Sequence, residues 1–399
     1  MVSEVGHATK IPLARQPGAR TFAVLYALES FARASIASVV PIQAYDILQS
    51  GQSVAVLYTA VSLGSLAATL SIPLLIQRFS RRWVYTAGAL LLVLGSVFFA
   101  SQTLWGQVLG MLARVMGAGA LHVALNLYIM DHVRRAEFVR VESIKMAWST
   151  LAWTCGPTMG VFLYTSFGLW AAHGAVAAFA LPLLACFWFY RLSDNQLIRP
   201  GKSRPSNPLA NVGRFVAQPR LRLAWLIAFG RSCFWTTFFV YGPILMVATG
   251  QGKLAGGILV STGNALLLAS LFWGRVARQH GTRPTIALVF VAMGAMLLGA
   301  GASGETFPFA AAGFLLACAF FAVALDALGG VAFMRAVHSF ERPQMAAVYR
   351  TYLDLSELLP PLAYAVVLAF WGLGSVFFVL GLFQLVCAAI CWRYLPRSM

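Results

Sequence analysis

The long apolar segments of this chain are joined by connections that alternate between basic and nearly uncharged. The connection at residues 78–82 contains three arginines, the one at 101–106 has no Lys or Arg, and the one at 134–140 is basic again. Later in the chain, residues 275–283 are basic, and the opposite side has Lys253 alone. Chains that cross a bilayer repeatedly keep their basic loops cytoplasmic. The pattern therefore predicts an integral protein of the inner membrane with both termini in the cytoplasm.

The composition agrees with a membrane protein and excludes several other classes. Of the 399 residues, 60% are hydrophobic and 10% are charged, whereas soluble domains have about 25% charged residues. The net charge of +17 falls mostly in alternate loops, so it indicates contact with anionic lipid and not a nucleic-acid partner. The six cysteines lie in apolar segments without a CxxC motif, and there is no phosphate-binding Gly-x-x-x-x-Gly-Lys-Ser/Thr motif. We expect no metal site, no cofactor and no enzymatic activity.

Twelve segments are long and apolar enough to be candidate membrane helices, which need about 20 residues each. They span residues 21–46, 54–76, 83–101, 106–130, 143–166, 168–190, 222–248, 254–274, 284–302, 307–334, 346–370 and 373–394. A polar stretch at 192–221 follows the sixth segment. It divides the chain into an N-terminal bundle (1–191), a cytoplasmic linker (192–221) and a C-terminal bundle (222–399).

The two halves resemble each other in sequence. Residues 73–82, after the second segment, correspond to 274–283, after the eighth. His122 in the fourth segment corresponds to Asp326 in the tenth, with nearly the same offset. Two repeats in the same orientation imply a pseudo-two-fold axis along the membrane normal. We therefore expect an all-α protein with two six-helix bundles.

The repeated basic loop resembles the Gly-x-x-x-Asp-Arg-x-Gly-Arg-Arg motif of the major facilitator superfamily (MFS). The first copy keeps its three arginines, and the second keeps Arg283 but has Arg278 at the acidic position. The resemblance implies the MFS fold, a monomer and transport by alternating access. It also implies that these arginines act in gating, with Asp131 as a substitute acidic partner. The gating candidates in the loops are Arg78, Arg81, Arg82, Asp131, Arg278 and Arg283.

A second motif in the fifth segment narrows the expected function. Gly156-Pro157-x-x-Gly160 is similar to the Gly-Pro-x-x-Gly motif of proton-coupled drug exporters, which implies that Gly156, Pro157 and Gly160 act in gating. We expect a secondary transporter that couples protons to the efflux of a small organic or amphipathic compound. Two alternatives remain open: a proton-coupled importer of an organic anion, and a non-transporting membrane sensor or assembly factor.

Ionisable residues within the apolar segments are the candidates for proton coupling, because charges in a bilayer are costly and usually functional. Glu29 and Arg33 lie one helical turn apart, so they form either a coupling site or a static pair. Asp354 and Glu357 share a helix face, where two carboxylates tend to hold one proton; Asp354 has an alternative partner in Arg350. The coupling candidates are Glu29, Asp326, Asp354 and Glu357.

The remaining polar and aromatic residues of these segments are candidates for substrate binding. Arginines can bind a carboxylate or phosphate in a bidentate manner, and aromatic side chains can line a cavity for an amphipathic ligand. Each of them also has a structural alternative, as an ion-pair partner or a packing residue. The candidates are Arg33, Arg114, Arg231, His122, Asn126, Trp153, Trp235, Tyr241, Tyr349 and Tyr352.

Overall fold

The computed structural model describes residues 19–133, 138–190, 208–337 and 342–395. The regular structure in these ranges is helical. The helices are α1 (Ala19–Ala34), α2 (Val39–Leu48), α3 (Gly51–Arg78), α4 (Arg81–Ala100), α5 (Leu104–His132), α6 (Phe138–Ser166), α7 (Leu169–Phe189), α8 (Pro208–Ala217), α9 (Pro219–Ala248), α10 (Lys253–Ala265), α11 (Ser270–His280), α12 (Thr282–Ser303), α13 (Pro308–Ala336), α14 (Arg342–Tyr349), α15 (Thr351–Val367) and α16 (Gly374–Tyr394).

Nine helical segments of the described ranges are long and apolar enough to cross a membrane. Two of them combine consecutive helices, Arg20–Leu48 and Lys253–His280. Further spans were predicted in the regions of α3, α6 and α15, and Gly51–Ala67 of α3 is a shorter apolar stretch among the described residues. Many large apolar side chains on the outside of the molecule are exposed, such as Trp105, Leu271 and Phe370. Such a surface is suited to lipid and not to water.

The first predicted segment, residues 21–46, lies within one candidate span, Arg20–Leu48, but it is not a single helix. The structure has two helices, α1 and α2, separated by a turn at residues 35–38. At this break, α6 approaches the backbone of α1 closely: a Cβ on Gly156 would lie 2.6 Å from Ala34 Cβ, and one on Gly160 would overlap the Ser35 carbonyl. The two glycines of the Gly-Pro-x-x-Gly motif thus allow the broken segment and α6 to touch.

The eighth and eleventh predicted segments are also interrupted. A 3₁₀ turn at Leu266–Ala269 separates α10 from α11, and Asn264 just before it donates to the Val260 carbonyl at 2.9 Å. The hydroxyl of Thr351, where α15 begins, donates to the Val348 carbonyl at 2.7 Å. Side chains that bond nearby carbonyls compete with the helical ladder and bend helices, which a hydrophobicity pattern does not show.

Among the described residues, helices from the two halves of the chain pack most extensively against each other in three pairs. α3 packs on α15, α6 packs on α10, and α2 packs on α9. We call the helix ends at residues 78–82 and 278–283 the basic end, and those at residues 46–53 and 248–253 the far end. The contacts between α2 and α9 and between α6 and α10 lie toward the far end, since α2 ends and α10 begins there.

Candidate functional site

A cavity of about 310 Å³ lies between helices from both halves of the chain. Its wall combines α3, α5 and α6 with α9 and α15. The polar and aromatic residues that line it include Tyr58, Ser62, Arg114, Trp153, Trp235 and Glu357. Ligand pockets range over about 300–1,000 Å³, so this cavity has room for a small organic molecule.

The two charged residues of the cavity lie at the same depth. Arg114 is ten residues from the far-end start of α5, and Glu357 is ten residues from the far-end terminus of α15. At 1.5 Å per residue, both lie about 15 Å from that end, which is half of a hydrocarbon core of about 30 Å. The structure therefore brings together two predicted site residues that are far apart in sequence.

Neither of these charges has an ion-pair partner within 4.0 Å among the described residues. Arg114 Nη2 donates to the Arg33 carbonyl at 3.4 Å. The Glu357 carboxylate is exposed to the cavity, while its backbone carbonyl accepts a bond of 2.8 Å from Ser62 Oγ. The charged groups around Glu357 are Asp354, Arg114 and Arg33. The cavity thus presents one positive and one negative group.

An aromatic wall joins the two sides of the cavity. The ring of Phe239 lies 5.5 Å from that of Trp153 and 5.8 Å from that of Trp235. Trp153 belongs to α6, and the other two belong to α9. Such a wall can pack against a flat or apolar part of a ligand.

Glu29 and Arg33 form the predicted local pair, with Arg33 Nη1 donating to Glu29 Oε1 at 3.2 Å. Glu29 is fully buried, and its Oε2 has no hydrogen-bond partner among the described residues. A buried carboxylate with an unbonded oxygen is a place where a proton can bind, because protonation removes the cost of the charge.

Lys145 is a buried cation that the sequence analysis missed. It is 3% exposed, and its Nζ lies 3.1 Å from Glu142 Oε2 and 3.4 Å from Asn126 Oδ1. It also lies 4.7 Å from the centroid of the Tyr26 ring. The predicted candidate Asn126 in turn lies 3.0 Å from the His122 ring. The N-terminal half therefore contains a polar network next to the Glu29 pair.

Arg231 and Asp326 form an ion pair between α9 and α13. Arg231 Nη1 donates to Asp326 Oδ1 at 2.7 Å, and Trp235 Nε1 donates to Asp326 Oδ2 at 3.0 Å. Arg231 Nη2 also donates to Tyr352 Oη at 3.3 Å. Both carboxylate oxygens of Asp326 are therefore bonded within the C-terminal half.

Three further candidates do not line the cavity. Tyr241 is 1% exposed, and its ring packs edge-on against Tyr364 at 5.1 Å. Tyr349 stacks on Phe333 at 4.3 Å. Asp354 is half-buried, and its carboxylate has no ion pair within 4.0 Å in the described part of the chain.

At the far end, an ion pair that was not predicted connects the two halves. Lys253 Nζ lies 2.6 Å from Asp46 Oδ2, and Tyr164 Oη donates to the same oxygen at 3.1 Å. Nearby, Thr158 Oγ1 and Ser261 Oγ are 2.8 Å apart, which connects α6 to α10. The sequence did contain a signal for this ion pair. Asp46 and Lys253 each lie alone as a charged residue in an otherwise uncharged connection.

At the basic end, the predicted gating residues differ in their contacts and in their exposure. Arg283 donates to the Trp392 carbonyl and lies 5.4 Å from the Trp392 ring. Arg82 lies 5.7 Å from the ring of Trp83, and Arg78 and Arg278 are exposed. The side chain of Asp131 lies outside the described residues, so its predicted pairing with the arginines stays a prediction.

The chain is similar to transporters in sequence and in fold. The family model of the Major Facilitator Superfamily matches residues 22–269, and no curated protein matches the chain significantly. The nucleoside transporter NupG shares 12% identity at a TM-score of 0.73, covering 94% of this chain and 98% of that one. A mutant of the peptide transporter POT in complex with alafosfalin shares 14% identity at a TM-score of 0.74, covering 96% of each chain.

A D-xylose-proton symporter is also similar, with 13% identity and a TM-score of 0.66 over 95% of this chain and 97% of that one. At these identities the likeness concerns the fold. The family match covers more than half of the chain and includes the whole of α5, α6, α9 and α10. By this match and by the fold around the central cavity, the chain belongs to the Major Facilitator Superfamily.

Proposed function

We propose that this protein is a proton-coupled secondary transporter that exports a small organic compound by alternating access. One observation carries the proposal: a cavity at mid-depth between the two halves contains the oppositely charged residues Arg114 and Glu357. Substrate sites of secondary transporters lie near the bilayer midplane between repeats. The proposal includes twelve spans in two bundles (1–191 and 222–399), joined by the linker at 192–221. It also includes a monomer in the inner membrane with both termini cytoplasmic.

Alternating access requires contacts between the halves that can open and close. The Asp46–Lys253 pair and the Thr158–Ser261 contact hold the halves together toward the far end. In the proposed orientation, the far end faces away from the cytoplasm. The described contacts therefore suit a state that is closed on that side, and transport requires them to break in the opposite state.

Proton coupling requires a carboxylate that can gain and lose a proton during the cycle. Glu29 is the first candidate, because one of its oxygens is buried and unbonded while Arg33 binds the other. Lys145, Tyr26 and Tyr85 are the other titratable groups close to it. Glu357 is the second candidate, because it faces the cavity, where a proton and a cationic substrate group compete for the same carboxylate. Asp354 is a further candidate, and Asp326 ranks last because both of its carboxylate oxygens are bonded.

The direction of transport depends on the resemblance of Gly156-Pro157-x-x-Gly160 to exporters, and the structure adds that both glycines touch the break between α1 and α2. Import of an organic anion is the second candidate, because Arg114 faces the cavity without a carboxylate partner within 4.0 Å among the described residues. However, Glu357 lines the same cavity, and its negative charge argues against a purely anionic substrate.

The experiment uses proteoliposomes that contain a pH-sensitive dye. A thermal-shift screen of metabolites and drugs at pH 6 and pH 8 first selects compounds that stabilise the purified protein. A selected compound is then added outside the vesicles. Entry of the compound in exchange for protons makes the lumen alkaline, whereas symport makes it acidic, so the sign of the pH change distinguishes the export mechanism from the import mechanism.

Neutralisation of Glu29 tests its role in the same assay. We expect Glu29→Gln to reduce compound-driven proton movement at least about tenfold, with the thermal transition of the folded protein retained. Glu305→Gln is the matched control, because Glu305 is exposed and its side-chain oxygen can still accept the Leu373 N–H. Wild-type proton movement no faster than in empty vesicles would overturn the transport proposal. Equal rates for wild type and Glu29→Gln would overturn the role of Glu29 alone.

A further inference from the structure

Some of the charged residues in the helices around the cavity are ion-paired, and others are not. Arg33 is paired with Glu29, and Arg231 is paired with Asp326. Arg114 and Glu357 face the cavity, and neither has an ion-pair partner within 4.0 Å among the described residues. A charge at the depth of the membrane core is costly unless it is paired or hydrated. These two therefore depend on whatever occupies the cavity.

We infer that the cavity binds a small zwitterion, with the anionic group of the ligand at Arg114 and its cationic group at Glu357. This inference rests on the proposed function, because it names the substrate class of the proposed transport site. The two protein groups belong to α5 and α15, in different halves of the chain. A ligand with two opposite charges can contact both halves at once.

Ligands with a single charge are disfavoured by the charge that they leave unpaired. A ligand that fills a cavity of about 310 Å³ displaces most of the water that hydrates the two side chains. An anion would then neutralise Arg114 and leave the Glu357 carboxylate without water or a partner, and a cation would do the reverse. The cost of one uncompensated buried charge is large. A ligand with both charges avoids it without a proton on Glu357.

The two serine hydroxyls of the cavity offer no free donor to a neutral polar ligand such as a polyol. Ser62 Oγ donates to the Glu357 carbonyl at 2.8 Å, and Ser65 Oγ donates to the Ser62 carbonyl at 2.9 Å. These two hydroxyl hydrogens are therefore used within the protein. The aromatic wall of Trp153, Trp235 and Phe239 instead favours a flat or apolar part between the two charges of the ligand.

The test measures binding of two matched sets of small molecules to the purified full-length protein. The first set is 4-(aminomethyl)benzoate, 4-methylbenzoate and 4-methylbenzylamine, and the second is L-phenylalanine, 3-phenylpropanoate and 2-phenylethylamine. Each set has a zwitterion, an anion and a cation of nearly equal size. Titration calorimetry at pH 7 gives the dissociation constants. We expect at least one zwitterion to bind at least about tenfold more tightly than both of its singly charged counterparts.

Two variants test which protein group recognises which charge. Arg114→Gln is expected to weaken zwitterion binding at least about tenfold, to the level of the cation of the same set. Glu357→Gln is expected to weaken it to the level of the anion. Arg222→Gln and Glu305→Gln are the matched controls, since both residues are exposed on the described surface. Thermal unfolding checks that each variant is folded, and Arg114→Met, which also removes the positive charge, replaces Arg114→Gln where it is not.

Three results would overturn the inference. The first is that a singly charged molecule binds as tightly as the zwitterion in both sets, and the second is that neither zwitterion gives saturable binding. The third is that both variants keep the wild-type ratio of affinities. None of these measurements needs a membrane or a gradient. Failure of proton movement in vesicles would instead overturn the proposed transport and leave zwitterion binding as measured.

Discussion

Lys253 Nζ lies 2.6 Å from Asp46 Oδ2, although 207 residues separate the two in sequence. The pair connects the end of α2 to the beginning of α10, and Lys253 also lies 4.7 Å from the centroid of the Tyr164 ring. Three helices from the two halves of the chain therefore meet at the far end. If the halves move apart there during transport, this pair must break in every cycle.

Removal of the Asp46–Lys253 pair should loosen the far end. About a third of the Lys253 side chain and 28% of the Asp46 side chain are exposed, so water screens the pair, and we expect it to contribute about 0.2–1 kcal/mol. Lys253→Gln should then increase amide hydrogen exchange in residues 249–256 by up to about fivefold. Hydrogen-exchange mass spectrometry of the purified protein measures this.

The charge-reversed double variant is the control for this prediction. Asp46→Lys combined with Lys253→Asp restores the attraction, so exchange should return toward the wild-type rate. Exchange that does not change in Lys253→Gln would mean that the pair does not hold the far end together.

Gly160→Ala should destabilise the contact between α1 and α6. A Cβ at this position would overlap the Ser35 carbonyl oxygen and would lie 2.6 Å from its carbon. Both are backbone atoms, so the helices must move apart. We expect a loss of about 1–3 kcal/mol, even though alanine favours a helix by about 1 kcal/mol over glycine. Thermal unfolding measures the difference.

Gly174→Ala is the matched control, because a Cβ at Gly174 in α7 would meet no atom within 4 Å. Its stability should equal or exceed that of the wild type, since only the helix preference changes. Equal stability of the two alanine variants would show that α6 can shift away from Ser35 at no cost.

Asp326→Asn should affect stability more than coupling. The carboxylate accepts bonds from Arg231 and Trp235 at 2.7 and 3.0 Å, and its loss leaves a mostly buried guanidinium unpaired. Complete burial of an unpaired charge costs about 3–5 kcal/mol; both side chains are about a fifth exposed, so we expect about 1–3 kcal/mol. Chemical or thermal unfolding measures the loss.

In vesicles, the Asp326→Asn variant should keep at least about half of the wild-type compound-driven proton movement per folded protein. Glu29→Gln in the same experiment is the comparison, since it should lose most of this movement. Loss of proton movement in Asp326→Asn with unchanged stability would instead identify Asp326 as a coupling group.

Local features of the site could be predicted from the sequence. Glu29 and Arg33 lie one helical turn apart, so their pairing follows once the segment is recognised as a helix. The pairing of Arg231 with Asp326, 95 residues apart, requires the relative position of α9 and α13. Lys145 was missed because it follows Glu142 at the basic start of a segment, a pattern also typical of a solvated helix end.

The sequence by itself determined that the chain is helical and lies in a membrane, because hydrophobicity and loop charge are properties of short segments, and it predicted internal repetition. Its resemblance to the Major Facilitator Superfamily followed from the same short motifs. The tertiary structure alone decided that Arg114 and Glu357 face one cavity and that Asp46 meets Lys253. It also decided that the first segment breaks where Gly160 approaches Ser35. These relationships depend on how helices from distant parts of the chain pack, and packing is set by the shapes of many side chains together.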